Sequence, residues 1–385
     1  MTLWRPQIYR TSAPPGTEPT TLDNAILVGS EATRVDPSLP PIFSLRHLAH
    51  ILEVDYGLLR AIVGRKIEDP YKVFRIRKRS GPADEQRFRI ICVPNPTLLL
   101  LQRWINARIL ARVRPHASSF AFAKGNTIYA AAERHCAHLW LIKFDVVRFF
   151  ESISEIAAYR VFHRLGYQPL VAFELSRLCT RLGSITPSRK RSQWSSNPNR
   201  YPTIGPYAAE RLGHLPQGAP TSPMLANLAM VKFDEAIQGI CDRGSLVYTR
   251  YADDIILSTD SPTFGRAGIG PIIGEVYKCM GRFGLSPNVA KTHISPPGAR
   301  KVVLGLMVDG PSPRLTREFK GLLRQHLYYL ASPRAGPIEH AKRRGFKAVA
   351  GLRNYVQGLV AFARQIEPTF GDECAEKLAM VSWPI

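Results

Sequence analysis

Acidic residues are scarce in this chain of 385 residues: Asp and Glu number 30 against 52 Lys and Arg, a formal net charge of +22. Such an excess is larger than solubility requires and predicts a polyanionic partner, either nucleic acid or an anionic membrane surface. The chain lacks an apolar run long enough to cross a bilayer, and its start, MTLWRPQIYR, lacks the apolar region of a signal peptide. We therefore expect a cytoplasmic protein that binds nucleic acid.

Paired cysteines and internal repeats are also missing. No CxxC pair occurs among the six cysteines, which indicates reduced core residues. His135, Cys136 and His138 lie close together, but no second pair of ligands accompanies them, which disfavours a zinc site. The length is sufficient for a large core divided among two or three subdomains.

Two adjacent carboxylates stand at the centre of SLVYTRYADDIILST, residues 245–259. Apolar and aromatic runs flank Asp253 and Asp254, a pattern that predicts a β-hairpin with an acidic turn. Carboxylates held this close repel each other and raise one another's pKa unless a cation neutralises them. Oxygen ligands favour Mg²⁺. A solvated Asp-Asp turn is the alternative that this stretch alone leaves open.

A third carboxylate, Asp145, follows a predicted buried strand over Leu139–Phe144. A lone Asp at a strand end is commonly a cap or a turn residue. Together with the acidic hairpin, however, Asp145 supplies the third carboxylate that a two-metal site requires.

A basic strand pair is predicted on either side of a Gly-Pro turn, over Val73–Ile76 and Phe88–Val93. Its aromatic residues are interleaved with basic ones, which suits contact with phosphates and bases. A merely solvated charged hairpin is the alternative. The basic positions are Lys72, Arg75, Arg77, Lys78, Arg79, Arg87 and Arg89.

The remaining segments are predicted from composition and period. Residues 1–42 show no sustained period and are interpreted as a flexible extension, and residues 186–207 as a mobile basic loop. LPQGAPTSPMLANL predicts a loop that opens into a helix at about Pro223 and offers N–H groups to phosphates or a base edge. RKVVLGLMVDG predicts a strand pair with its turn at Gly310, and residues 314–380 are predicted to be helical and basic.

The order of these motifs resembles bacterial retron-type reverse transcriptases, relatives of the group II intron enzymes. The motifs are RIICVP (89–94), LIKFDVVRFFESI (141–153), LPQGAPTSPMLANL (215–228), YTRYADDIILS (248–258), GLSPNVAKT (284–292) and VVLGLMV (302–308). YADD alone is weakly specific, but in this order the set is highly specific.

The resemblance implies an α+β fold of the right-hand polymerase type. Residues 1–42 would precede fingers at 43–137, a palm at 138–311 that includes fingers helices and a basic loop at 155–212, and a helical thumb at 312–385. The implied enzyme is an RNA-directed DNA polymerase that uses dNTPs to copy a dedicated noncoding RNA into DNA. An anti-phage role and an effector protein encoded nearby are further implications.

The resemblance also implies roles for individual residues. Asp145, Asp253 and Asp254 would hold two Mg²⁺ ions, with Mn²⁺ as a substitute. The carbonyl of Val146 would complete the metal shell, and Lys291 would assist the leaving pyrophosphate.

Other implied roles concern the nucleotide and the RNA. Phe150 matches the steric gate that excludes a ribose 2′-OH. Arg87 or Arg89 would grip the triphosphate, while Gln217 and Gly218 would line the template and nucleotide pocket. The implied primer and RNA contacts are His135, Leu304, Gly305, Arg317, Lys342, Arg343 and Arg344.

Two departures from the retron pattern concern RNA recognition. Ala131 stands where retron enzymes carry the Asn of Asn-Ala-x-x-His, and Leu304 replaces the Thr of Val-Thr-Gly. A defence-associated enzyme outside the true retrons, with a different priming mode, is therefore an alternative. A catalytically idle RNA-binding scaffold is another, although the three carboxylates, Phe150 and Lys291 favour activity.

Overall fold

The computed structural model describes residues 5–67, 69–77, 88–183, 194–195 and 204–384. Arg87 and most of the predicted basic loop at 186–207 lie outside the described residues. The helices are α1 (Pro6–Thr11), α2 (Pro19–Val35), α3 (Leu45–Ile51), α4 (Tyr56–Val63), α5 (Pro96–Arg108), α6 (Ile128–Glu133), α7 (Phe149–Ser152), α8 (Glu155–Arg164), α9 (Pro169–Leu178), α10 (Ser222–Ala229), α11 (Val231–Arg243), α12 (Arg266–Arg282), α13 (Arg317–Ala331), α14 (Gly336–Arg343), α15 (Val349–Ile366) and α16 (Pro368–Ala379). The strands are β1 (Tyr71–Arg77), β2 (Phe88–Pro94), β3 (Trp140–Asp145), β4 (Val247–Tyr251), β5 (Asp254–Thr259), β6 (His293–Ser295), β7 (Val302–Val303), β8 (Leu306–Met307) and β9 (Arg314–Leu315).

A four-stranded antiparallel sheet in the order β4-β5-β3-β6 forms the centre of the molecule. Successive side chains of a strand point to opposite faces. On β3, Ile142 and Phe144 accordingly enter one hydrophobic core, whereas Leu141 enters a second one. The predicted hairpin is confirmed, because β4 and β5 pair directly and its carboxylates lie at the turn.

The second core belongs mainly to the C-terminal part of the chain. Buried residues between Val303 and Val381 form it, with the helices α13–α16 around the small sheet β7-β8-β9. Of the residues 314–380 predicted to be helical, Arg314–Leu315 form β9, and the prediction is confirmed for the four helices that follow. In the described ranges, no helix is long and apolar enough to cross a membrane.

The turn that follows β7 corrects a sequence prediction. It lies at Leu304–Gly305, with φ angles of 49° and 85°, and not at Gly310. A two-residue hairpin loop of this kind requires positive φ at both central residues. Gly310 lies instead in the longer connection between β8 and β9.

The basic strand pair predicted from the sequence is present as β1 and β2, which pair antiparallel over their whole length. Most of its side chains are exposed, among them Val73, Phe74 and Ile76 on β1. Exposed apolar and basic side chains therefore share one two-stranded sheet.

The interpretation of residues 1–42 as a flexible extension is corrected by α1 and α2. The consecutive apolar run Ala25–Val28 obscures the helical period in the sequence, but Pro19 begins α2 and Ala32 is buried. The backbone of Glu31 and Ala32 packs directly on Gly166, after α8. Helix α2 is therefore docked onto the main core.

The substitution Gly166→Ala should destabilise the protein by about 1–3 kcal/mol. A Cβ at Gly166 would lie 2.5 Å from the carbonyl oxygen of Glu31, and φ there is +85°. The matched control is Gly125→Ala, which has φ +86° but nothing within 4 Å of the new Cβ. Urea unfolding should show a larger loss for Gly166→Ala. Equal losses would mean that α2 is not pressed against this glycine.

Candidate active site

The three predicted carboxylates meet at one end of the central sheet. Asp145, the last residue of β3, is directly opposite Asp254, the first residue of β5. Asp253 lies in the turn just before it, and its carbonyl accepts the N–H of Val146 at 3.3 Å. Residues opposite each other on antiparallel strands are close neighbours. The pairing of β3 with β5 therefore brings together carboxylates that are more than a hundred residues apart.

The electrostatics of this cluster show an uncompensated negative charge. Partial burial, followed by the charges of Asp253 and Asp145, raises the pKa of Asp254 to about 6, although Asp254 keeps contact with solvent. Burial and Asp145 also raise the pKa of Asp253, against the charges of Lys291 and Arg89. This is the mutual repulsion expected from the sequence. It is the environment in which a bound cation is favoured.

Lys291 joins the cluster from a 3-10 turn over Val289–Lys291. Its Nζ lies 2.8 Å from Oδ1 of Asp145. Asn288, which sequence reasoning passed over within the GLSPNVAKT motif, donates its side-chain amide to Oδ2 of Asp145 at 2.9 Å. The backbone N–H of Asn288 donates to the carbonyl of Asp145 at 2.8 Å, so this turn holds the end of β3.

The donor set fits a hard divalent cation. Carboxylate oxygens are the ligands that Mg²⁺ takes in proteins. Both side-chain oxygens of Asp145 are engaged by Asn288 and Lys291, and among the described residues no group of three or more His, Cys, Asp or Glu is closed around a metal position. The Lys291 side chain is 54% exposed. Its ammonium group is therefore not anchored in the core, and its departure would free Oδ1 of Asp145 for a cation.

A row of aromatic rings extends from the carboxylate hairpin through Tyr251. Phe150, on α7, is half-buried and lies 6.3 Å from the ring of Phe122, measured between centroids. Phe122 lies equally far from Tyr251, the residue opposite Asp254. An aromatic residue with a φ of 61°, as at Phe122, is a backbone outlier. Phe150 is thus beside the hairpin, and Phe122 is a neighbour that sequence reasoning missed.

The LPQG loop is seated against strand β2, and the predicted loop and helix are confirmed. The N–H of Cys92 donates to the carbonyl of Gln217 at 2.7 Å. Gly218 has a φ of +110°, and a Cβ there would lie 2.8 Å from the Cγ2 atom of Ile91. Glycine is therefore required at this contact. Gln217 and Gly218 therefore lie against β2, the strand that carries Arg89.

His135 does not reach the surface, which corrects its predicted contact with RNA. It is fully buried, and its ring nitrogens lie 2.6 Å from the hydroxyls of Ser258 and Thr249. Burial lowers its pKa to about 3, so the ring is neutral and braces β4 against β5. Ala131 is also fully buried, so its side chain presents no surface to RNA.

The remaining predicted RNA residues lie on the C-terminal part of the chain. Leu304 is half-buried against the second core and Gly305 is exposed at the tip of its turn. Arg317, Lys342 and Arg343 are exposed, and Arg344 contacts the buried His326 at 3.2 Å. Their contacts with RNA stay predictions.

Several known proteins are similar to this chain. The family described as reverse transcriptase (RNA-dependent DNA polymerase) matches residues 76–308. The Retron Ec86 reverse transcriptase of Escherichia coli is 28% identical over 79% of this chain and 83% of its own length. The Retron Mx65 reverse transcriptase of Myxococcus xanthus is 26% identical, over 92% and 74%. A solved structure of telomerase from Candida albicans with a fragment of telomeric RNA shares 12% identity at a TM-score of 0.41, covering 80% of this chain and 56% of that one.

The chain belongs to the reverse transcriptase family and is an RNA-directed DNA polymerase with an α+β fold of the right-hand type. Within that family it is a retron-type reverse transcriptase. The resemblance inferred from the motifs is therefore confirmed.

Proposed function

We propose that this enzyme copies a dedicated noncoding RNA into DNA by two-metal nucleotidyl transfer at Asp145, Asp253 and Asp254. One observation carries the proposal: Asp145 faces Asp254 across β3 and β5, with Asp253 in the adjoining turn. Mg²⁺ ions bound there, or Mn²⁺ in their place, would lower the pKa of the primer 3′-OH and neutralise charge at the transferring phosphorus. Val146, beside Asp145, would add its carbonyl oxygen to the metal shell.

Cationic side chains around the carboxylates would bind the triphosphate of the dNTP. Lys291, once released from Asp145, presents its ammonium group to the leaving pyrophosphate. Arg89 is exposed on β2, and its charge acts on Asp253, so it is within reach of the same phosphates. Arg87 has the same proposed role but lies outside the described residues.

The sugar and base of the incoming nucleotide would occupy the space between Phe150 and the LPQG loop. Phe150 is proposed as the ring that excludes a ribose 2′-OH. Gln217 and Gly218 hold the opposite side, because their loop is fixed to β2 through Cys92. The same exclusion would make the product DNA.

The strand pair β1 and β2 is proposed to hold the template. Its exposed apolar side chains offer stacking surfaces for bases, and its cations offer contacts to phosphates. The apolar members are Val73, Phe74, Ile76, Phe88 and Ile90, and the cationic ones are Lys72, Arg75, Arg77 and Arg89.

We propose that the template is encoded beside this gene and that the product serves anti-phage defence, in the cytoplasm and with an effector protein encoded nearby. The alternative priming mode rested on Ala131 and Leu304. Burial of Ala131 removes its direct bearing on RNA contact, so this alternative now depends on Leu304.

Sequencing the RNA and DNA that co-purify with the chain, expressed with its flanking DNA, tests this function. We expect one RNA species and a complementary DNA. A DNA that is joined to an internal guanosine and freed only by a debranching enzyme would establish the retron priming mode. A DNA with a free 5′ end would establish another mode, and RNA without any DNA would refute the proposal that this RNA is the template.

RNA affinity should fall steeply with salt, because phosphate contacts release counterions. Replacing Lys342, Arg343 and Arg344 together by Gln should make the slope of log K against log salt shallower by about 2. Gln at position 344 keeps a donor for His326. Filter binding across a salt series gives the slope.

A matched control removes three exposed cations elsewhere, with Arg10, Lys232 and Arg243 replaced by Gln. Each of these forms an exposed ion pair outside the C-terminal helices. The control should leave the slope close to that of the wild type. Equal changes in both variants would mean that α14 does not contact the RNA.

A further inference from the structure

Arg250 is a fully buried cation three residues before Asp253, and the proposed mechanism gives it no role. Asp234 on α11, also fully buried, accepts its Nε and one terminal nitrogen at 2.7 and 2.8 Å. The two groups form a two-pronged ion pair with no access to solvent. Replacing such a pair by apolar residues is often neutral for stability. Stability alone therefore does not explain its presence here.

The two terminal nitrogen atoms of Arg250 also connect three further segments. The one bonded to Asp234 donates as well to the hydroxyl of Ser119 at 3.1 Å. The other donates at 3.3 Å both to the side chain of Asn227, on α10, and to the carbonyl of Ala252. Every arm of the guanidinium is occupied, so its orientation is fixed.

The Ala252 contact acts on the turn that carries the carboxylates. Ala252 has a φ of 57°, a conformation that is costly for a residue with a Cβ. Its carbonyl is the last acceptor before Asp253, and Arg250 bonds it from within the core. A strained turn persists where the surrounding contacts over-determine it.

The segment before Phe122 is joined to the same hub. The backbone N–H of Arg250 donates to the carbonyl of Ser118 at 2.7 Å, and the N–H of Phe120 donates to the carbonyl of Arg250 at 2.9 Å. Phe122 then extends to the rings of Phe150 and Tyr251. The hub therefore links the carboxylate turn to the aromatic side of the site.

We propose that Arg250, held by Asp234, is a positioning residue that fixes the turn carrying Asp253 and Asp254 at the spacing a divalent cation requires. Ser119 and Asn227 complete the hub and tie this turn to the segment of Phe122 and to the helix after the LPQG loop. The inference rests on the proposed metal site at these carboxylates.

The test is Arg250→Lys, which keeps the charge but loses the planar fork. Three quantities are measured: the Kd for Mn²⁺ by electron paramagnetic resonance without nucleic acid, the kcat of DNA synthesis, and the melting temperature. We expect Mn²⁺ to bind about tenfold more weakly. We expect kcat to fall about 10- to 100-fold, because small displacements of catalytic groups cost that much.

The matched control is Arg177→Lys on α9. Arg177 is also buried, pairs with Glu155 and donates to the carbonyls of Val63 and Tyr207. The substitution Arg177→Lys should lower the melting temperature without changing the Kd for Mn²⁺. A purely structural role for Arg250 would give the same result in both variants, and that outcome would overturn the proposal.

A milder variant covers the case in which Arg250→Lys does not fold. Ser119→Ala removes one acceptor of the guanidinium and should weaken Mn²⁺ binding in the same direction, by a smaller factor. An unchanged Kd would overturn the proposal. Failure of the metal site itself is recognised separately, because Asp253→Asn would then leave Mn²⁺ binding intact.

Discussion

Asp253→Asn and Asp254→Asn should each reduce DNA synthesis by about a thousandfold while the protein stays folded and bound to RNA. Removing one anionic ligand weakens both cations, and a bound metal contributes several kcal/mol to the transition state. The measurement is primer extension on an RNA template in Mg²⁺, with RNA binding measured on the same preparations. Activity within a few-fold of the wild type would contradict the metal assignment.

The control for these variants is Asp242→Asn, an exposed carboxylate at the end of α11 that accepts a hydrogen bond from Gln238. It loses the same charge at a distance from the three carboxylates and should keep full activity. A loss in this control would mean that the assay responds to net charge and not to the cluster.

Although Asp254→Asn should lower activity, it should raise the stability of the metal-free protein. The pKa of Asp254 in the folded protein, about 6, lies above its ordinary value of 3.8. The folded state therefore holds a proton that the unfolded state releases, and folding loses stability as pH rises from about 4 through 6. Asp254→Asn removes this loss. In a chelator, thermal unfolding at pH 8 should show the variant more stable than the wild type, and the gap should close at pH 4.

Local patterns were sufficient to predict the carboxylate hairpin and its partner strand. Asp253 and Asp254 stand between two apolar and aromatic runs, which marks the turn of a hairpin. Asp145 stands at the end of another apolar run, which marks the end of a strand. The backbone then fixes their meeting, because β3 and β5 pair in the register that sets Asp145 opposite Asp254. The carboxylate chemistry and the apolar pattern of the strands were therefore enough to predict this part of the site.

Contacts between distant residues were beyond the reach of such patterns. The imidazole of His135 has the chemistry of a metal ligand or an RNA contact. Its actual partners, Ser258 and Thr249, are more than a hundred residues away in the chain. Arg250 reads as one more cation of a basic protein until Asp234 and Ser119 are seen around it. Burial, which decides whether a charge is solvated or positioned, is a property of the packed core.

The N-terminal helices show a different limit. The consecutive apolar run Ala25–Val28 obscures the helical period of α2, and the docking of this helix depends on the backbone approach at Gly166. In the sequence, Gly166 indicates only a turn after α8. It does not reveal that the backbone of α2 packs against this glycine.

Phe150→Ala should raise the incorporation of ribonucleotides relative to deoxynucleotides by about 10- to 200-fold, the range over which the shape of a pocket discriminates. The ring acts through its volume, since removing it opens the space where a 2′-OH would lie. Its position supports this role, because it is half-buried beside the rings of Phe122 and Phe149, close to the carboxylate hairpin. Competition between ribonucleotides and deoxynucleotides in primer extension measures the ratio.

Two further variants separate the gate from its surroundings. Phe150→Leu leaves part of the volume and should give an intermediate ratio, whereas Phe122→Ala removes an exposed neighbour and leaves the gate ring in place. We therefore expect Phe122→Ala to change the ratio less than Phe150→Ala does. If only Phe122→Ala admits ribonucleotides, the excluding ring is Phe122, and the gate role that the family resemblance implies for Phe150 is wrong.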